Sequence, residues 1–411
     1  MTIPHSMEGA AVPMRLPETR WRQRLEHSRA TKRQLERSPG LAGAPPQRPT
    51  LGDCLGLCLP VDFPDFPATL SAADIDAFCN RPGYRGFGNN GSVFDYFLDN
   101  SGGRLRYKTL VAPFYTARHP RAYYTDSAVP LGERSAELVR EAVEFHRERG
   151  LDFGKLTADE VRDIRATNLL YAGPVVNGFN EGLWPHSSTV LGGLMVGAGR
   201  SIADFQVTAM DTELTLGIYC HENGHMLCDF PDLYQMGEVR AGVGSFCLMG
   251  FGAVSNPRNP PQVCGYLKYK AGWATAEALG AGQAVVAPAA GNRVFLLSRS
   301  GVEYFLLEYR RQSGRDASLP DGGLAVWHID ELGCNTWPQR AESGHRHYEC
   351  ALVQADGRDD LAAGSDGDAS DLFGPTDSPA LRFASWWDGT PSGLQVGAIR
   401  QLPDALEFTT G

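Results

Sequence analysis

The chain has 411 residues, of which 42% are hydrophobic and 21% charged, with 47 Gly and 27 Pro. That is the composition of an ordinary globular chain with room for two domains, and it excludes a collagen, a coiled coil and a wholly disordered polymer. The net charge of −10 is split: residues 1–50 carry nine Lys/Arg against four Glu, so a basic segment of +5 precedes a body of −15. An acidic body argues against a nucleic-acid groove, because phosphate binding draws its affinity from clustered Lys and Arg.

Residues 1–50 have little apolar periodicity and end in the breaker-rich stretch Gly40-Leu-Ala-Gly-Ala-Pro-Pro-Gln-Arg-Pro49. They read as a basic, flexible leader or pro-segment. Leu55 to Phe63 is a largely apolar run ended by Pro64-Asp65-Phe66-Pro67, which predicts a buried strand and a turn. Ser92 with Asp95 three positions on predicts a capped short helix stopped by Ser101-Gly102-Gly103, and the alternation from Arg104 to Val111 predicts a half-buried strand. Arg134 to Arg149 is amphipathic and closed by Gly150. A further helix is expected over 158–166, strands over 169–176 and 189–196, and a long helix over 211–228 with Asp211 or Thr212 as N-cap. Beyond Trp273, short apolar runs separated by Gly, Asp and Pro turns predict a β-rich second domain. His328 belongs to one of these runs; its nearness to Asp330 and Glu331 suggests a metal site, but the alternation in Trp327-His328-Ile329 fits a strand with one polar face, which is the favoured reading.

The nine cysteines include no C-x-x-C pair and read as small buried hydrophobes, Cys54 and Cys58 beside the first strand among them. No apolar window is long enough for a transmembrane helix, and the first residues do not form a recognisable signal peptide.

His221-Glu222-Asn223-Gly224-His225 is an H-E-x-x-H string. On a helix, residues four apart share one face, so both imidazoles converge on one ion, and neutral imidazole suits zinc. Glu222 then has the position of a general base toward a metal-activated water. Zinc needs a further protein ligand. Asp232 is the chosen residue, seven positions after His225 and beyond a reversal that Pro231 helps to form; Asp229 and a distant carboxylate are the alternatives.

The segment His221-Glu-Asn-Gly-His-Met-Leu-Cys-Asp-Phe-Pro-Asp-Leu-Tyr234 resembles the zinc segment of the immune inhibitor A type metalloproteases, of the metzincin group. The resemblance continues in Val61-Asp-Phe-Pro-Asp65, Gly91-Ser-Val-Phe-Asp-Tyr96, Gly182-Leu-Trp-Pro-His-Ser187, Ser245-Phe-Cys-Leu-Met-Gly250, Leu267-Lys-Tyr-Lys-Ala-Gly-Trp273 and Leu324-Ala-Val-Trp-His-Ile-Asp330, and covers about residues 51–411. It implies a secreted zinc endopeptidase acting on protein or peptide substrates, with His221 and His225 as ligands, Glu222 as base and Met249 in the turn beneath the zinc. Two departures stand out. Cys228 occupies the place of the pattern's Gly and Asp232 comes one residue late, while Phe251 lacks the hydroxyl that some members place near the oxyanion.

The expected fold is therefore α+β: a metzincin-like zinc peptidase domain over 51–275, a twisted sheet with a long zinc-binding helix, followed by a β-sandwich-like domain over 276–411. Trp184, His186 and Tyr234 are candidates for the substrate cleft, Tyr234 also for the oxyanion. Asp366, Asp368 and Asp371 offer hard oxygen ligands for calcium. The competing readings are a non-catalytic zinc-containing binding protein and a hydrolase of a non-peptide amide.

Overall fold

The computed structural model describes residues 28, 30–37, 50–236, 242–341, 343–375 and 384–411. Its described residues fall into two units, one formed by Leu51–Asp99 and Leu105–Asp229, the other by 28, 30–37, 50, Asn100–Arg104 and the residues from Phe230 onward. Both helices and sheets are present in a mixed α and β arrangement. No helix among the described residues is long and apolar enough to cross a membrane.

The first unit is built on a sheet of six strands: β1 (Gly52–Asp62), β2 (Leu105–Val111), β3 (Tyr115–Thr116), β4 (Thr167–Ala172), β5 (His186–Gly197) and β6 (Arg200–Met210). Their order is β2-β1-β4-β6-β5, with β3 also paired to β1. Every pairing is parallel except the antiparallel β5–β6 edge. Parallel strands of this kind are covered on both faces, and alternation along each strand sends side chains to the two sides. One side gathers Leu57, Leu59, Val61, Leu169, Tyr171, Phe205 and Val207 into a core with Leu138, Val139, Ala142 and Val143 of the helix α3 (Glu133–Glu148). That helix lies within one residue of the predicted span at each end, because its apolar stripe alone defines it.

The helices α1 (Ala72–Asn80) and α2 (Val93–Asn100) precede α3. Each starts at a capping box. Ser71 Oγ accepts from Asp74 N–H at 3.2 Å and Asp74 from Ser71 N–H at 3.0 Å; Ser92 and Asp95 make the same exchange at 3.2 and 2.8 Å. The Ser92–Asp95 spacing predicts the start of α2, whereas no predicted element covers α1. The helix expected over 158–166 is absent. Asp159 Oδ1 accepts from Val161 N–H at 3.0 Å and Asp163 N–H at 2.9 Å, Arg162 has φ 74°, and Ala158 bridges to Ile164. A side-chain acceptor competing for backbone donors makes a turn there instead.

The second unit holds two sheets. β7 (Thr275–Ala278), β9 (Arg293–Ser298), β10 (Glu303–Arg310), β11 (Gly323–Asp330) and β12 (Cys350–Leu352) are ordered β12-β11-β10-β9-β7; β8 (Ala284–Pro288), β13 (Val396–Gln401) and β14 (Ala405–Thr410) are ordered β13-β14-β8. Val285, Ala287, Val396, Leu406 and Phe408 of the smaller sheet share one core with Phe295, Phe305, Leu307, Leu324 and Val326 of the larger. Of the basic segment, residues 1–27, 29 and 38–49 lie outside the described residues. Residues 30–36 are helical, where weak periodicity predicted no element.

Beside this core lies a buried charge cluster. Arg310, 2% exposed, donates to both oxygens of Asp316 at 2.9 Å and to the Phe246 carbonyl at 3.0 Å. Glu308 accepts from Trp327 Nε1 at 3.0 Å and from Gly265 N–H at 2.7 Å, at the first residue of α5 (Gly265–Lys270), the last helix that follows α4 (Leu216–Cys228). Removing one member of a buried charge pair strands the other. Arg310→Met is expected to cost about 3–5 kcal/mol of unfolding free energy, measured by urea denaturation against the wild-type chain.

Candidate metal centre

The helix α4 carries His221, Glu222 and His225, and it is buried on nearly every side. It begins five residues after the predicted start. β6 runs on to Met210, and Thr215 makes no side-chain cap; instead Asn89, distant in sequence, accepts from Leu216 N–H at 3.3 Å and donates to the Leu214 carbonyl at 2.7 Å.

Its rotation is set by a polar chain crossing the sheet. Gln206 on β6 donates to Asn168 on β4 at 2.9 Å, the two being register partners. Asn168 donates to Tyr107 Oη on β2 at 2.9 Å, and Tyr107 donates to Asn223 Oδ1 on α4 at 3.0 Å. Asn168, Gln206 and Asn223 are fully buried. Thr167 N–H points at Met226 Sδ, 3.2 Å away, and Tyr219 packs edge-on to Phe78 of α1. At about 100° per residue, His221 and His225 each lie about 200° around the helix from Asn223. Pinning Asn223 to the sheet therefore directs both histidines away from it.

The two imidazole Nε2 atoms are 3.1 Å apart, with the rings nearly perpendicular at 86°. His221 is 6% exposed and His225 half-buried. Asp232 adds a carboxylate oxygen, and one ligand atom from each of His221, His225 and Asp232 lies within 4.8 Å of the others. Asp229, the alternative, is the C-cap of α4 in a left-handed conformation, φ 54°, its N–H bonded to the His225 carbonyl at 3.0 Å. Two imidazoles and one carboxylate are a donor set that suits zinc. Glu222, 6% exposed, is adjacent to His221 on the same helix.

Met249 is fully buried in an irregular helical turn, and its carbonyl accepts from Leu233 N–H at 2.8 Å, so this turn is tied to the segment that carries Asp232. The Phe246 carbonyl just before it is held by Arg310. Tyr234 is half-buried and packs on Phe251, ring centroids 5.6 Å apart. Trp184 is half-buried against Phe179.

His186, expected in a cleft, is instead an interior group of β5. It is 8% exposed, Nε2 is 2.9 Å from Ser135 Oγ, and Nδ1 is bonded to the Trp184 carbonyl. Of the three proposed calcium ligands, Asp368 and Asp371 come together with Asp356; Asp366 does not join them. Asp366 contributes its backbone carbonyl to Ser245 N–H at 2.8 Å, and Arg358 already bridges Asp356 and Asp368. None of the nine cysteines is in a disulfide; eight are buried and Cys334 is half-buried.

Sequence reading did not find Tyr107, Asn168, Gln206 or Arg310. The available signal was a polar side chain inside an apolar strand run, as in Thr167-Asn168-Leu169-Leu170 and Phe205-Gln206-Val207. Two further groupings also escaped it: His119, Glu137 and Glu141, and Asp330, His345 and His347. In the first the carboxylates are engaged, since Glu141 accepts from Tyr115 and Tyr124 at 2.8 and 2.9 Å and Glu137 from Arg134 at 2.7 Å. No family model matches the chain, and no curated protein matches it.

Tyr107→Phe leaves a buried amide oxygen unsatisfied and is expected to lower stability by about 1–3 kcal/mol, read by chemical denaturation. Burial holds the His186 pKa down to about 4, against about 6.5 in an unfolded chain. The unfolded chain then binds the extra proton, so stability falls as pH drops from about 6.5 to 4, by about 3 kcal/mol in all. The pH dependence of unfolding should flatten over that window in His186→Gln relative to wild type.

Proposed function

We propose that the protein is a zinc-dependent endopeptidase whose ligands are His221, His225 and Asp232 and whose general base is Glu222. The observation that carries this reading is the convergence of the two imidazoles and the Asp232 carboxylate at one end of a buried helix that also carries a carboxylate next to the first histidine. The resemblance of residues 221–234 to immune inhibitor A type metalloproteases supports the same chemistry, with a metzincin-like catalytic fold and secretion as its corollaries. Zinc held there supplies Lewis acidity, polarising a scissile carbonyl and acidifying water.

The protein's own groups do the rest. His221 and His225 are neutral donors, held in orientation by the Asn223 anchor on the opposite side of α4. Asp232 contributes one negative charge, which reduces the ion's charge without cancelling it. Glu222 takes a proton from the attacking water and hands it to the departing nitrogen, so that an amine rather than an amide anion leaves. The buried surroundings of Glu222 strengthen these proton transfers by excluding bulk water.

The test is a peptide-library digest of wild type and Glu222→Gln, with metal analysis of both and with chelator added and then reversed by zinc. Glu222→Gln is expected to keep its metal and lose about 10²–10⁴-fold in cleavage rate, and chelation to abolish wild-type cleavage until zinc is restored. Undiminished cleavage by Glu222→Gln would reject the assignment of the base; bound metal without cleavage of any peptide would favour the binding-protein reading.

A further inference from the structure

The β-rich unit contains a second convergence of histidines on a carboxylate, remote in sequence from the H-E-x-x-H segment. Asp330 ends β11 and is 2% exposed. Its Oδ1 accepts from Leu332 N–H at 2.9 Å, which leaves Oδ2 as the presented oxygen. Two imidazoles reach that single atom: His345 Nδ1 at 2.7 Å and His347 Nε2 at 2.7 Å. The ligand atoms of all three residues lie within 4.8 Å of one another, and the His345 and His347 side chains are 25% and 22% exposed, so the group reaches solvent.

Each ligand is held from behind. The other nitrogen of His345, Nε2, is 3.2 Å from the Glu36 carboxylate. A carboxylate accepting from Nε2–H leaves the Nδ1 lone pair free for a metal, the arrangement by which outer carboxylates orient metal-binding histidines. His347 is stacked on the Trp387 indole, with centroids 4.5 Å apart and planes 11° from parallel. The same indole also stacks with His328, at 4.6 Å and again 11°. Glu303 locks this stack, since it accepts from Trp387 N–H at 2.9 Å and lies 3.3 Å from His328 Nε2. His328 is thus a supporting ring beside the cluster. The connection from β11 to β12 is closed by Cys334 N–H to the His347 carbonyl at 3.0 Å.

We propose that Asp330, His345 and His347 form a second metal site, for a divalent transition ion of zinc type, that fastens the β11–β12 connection to the end of β11. Two imidazoles and one carboxylate suit zinc and its neighbours rather than calcium or magnesium, which prefer oxygen alone. Ligand atoms around zinc with bonds of about 2.0–2.1 Å sit about 3.3 Å apart. The 2.7 Å contacts therefore widen by about half an ångström to admit the ion, a small movement for two partly exposed rings. A water completes the four-coordinate shell.

Full-length protein equilibrated with zinc and assayed by elemental analysis decides the matter. Wild type is expected to hold about two zinc per chain, and His225→Ala and His347→Gln about one each, with circular dichroism showing that the variants are folded. Equal zinc in wild type and folded His347→Gln would overturn the proposal and leave a hydrogen-bonded His–Asp–His cluster. Should His347→Gln not fold, cobalt(II) titration of His225→Ala is the deciding measurement. One equivalent should saturate with partial quenching of tryptophan emission, and the quenching should be lost in His225→Ala/Trp387→Phe. No saturable quenching in His225→Ala would overturn the site. Neither readout uses peptide cleavage, so the outcome is separate from that of the catalytic reading.

Discussion

The polar chain from Gln206 through Asn168 and Tyr107 to Asn223 is the constraint on which the first unit turns. A parallel sheet covered on both faces has no solvent in which to satisfy polar side chains, so each must find a partner or destabilise the core. Here the partners are consecutive along one line across β6, β4 and β2 and end on the helix. A helix packed by apolar contacts alone can rotate by small steps at modest cost. A helix pinned by a buried hydrogen bond cannot, because any other rotation separates the Tyr107 O–H donor from the Asn223 Oδ1 acceptor. The orientation of His221 and His225 follows from that one anchor.

The second unit uses charge for the same purpose. Arg310 is enclosed with Asp316 and Glu308 and spends one of its donors on the Phe246 carbonyl, three residues before Met249. The segment around Met249 in turn accepts from Leu233, next to Asp232. An irregular turn with few regular backbone bonds is thereby attached to β10 and to the residues that follow α4. Elsewhere in this unit Glu331, its side chain fully buried, takes Lys270 at 2.8 Å and Lys32 of the basic segment at 3.5 Å. That segment thus contributes a charge to the interior of the β-rich unit.

Sequence periodicity served well where an element's own side chains define it. The stripe Leu138, Val139, Ala142 and Val143 placed α3, the Ser92–Asp95 exchange placed the start of α2, alternation placed β2, and short apolar runs between turns placed β10 and β11. It failed where a local side chain or a distant one intervened. Asp159 captured backbone donors and made a turn of an expected helix, and Asn89 supplied the N-terminal partner that moved the start of α4 to Leu216. His186 showed the converse: beside Trp184 and Pro185 it was a candidate for the substrate cleft, yet packing enclosed it between Ser135 and its own backbone.

By itself the sequence determined that two histidines four residues apart share one helical face with a glutamate beside them, because helical geometry is local and periodic. Spacing and the Pro231 reversal favoured Asp232 among the carboxylates without excluding Asp229. Asp232 joins the histidines, whereas Asp229 is the left-handed C-cap of α4, a matter of where the chain reverses. Asp356 rather than Asp366 meets Asp368 and Asp371, and Asp330 meets His345 and His347 across the β11–β12 connection, for the same reason. Side chains separated by turns and strand crossings come together only through packing and register, which no spacing along the chain encodes.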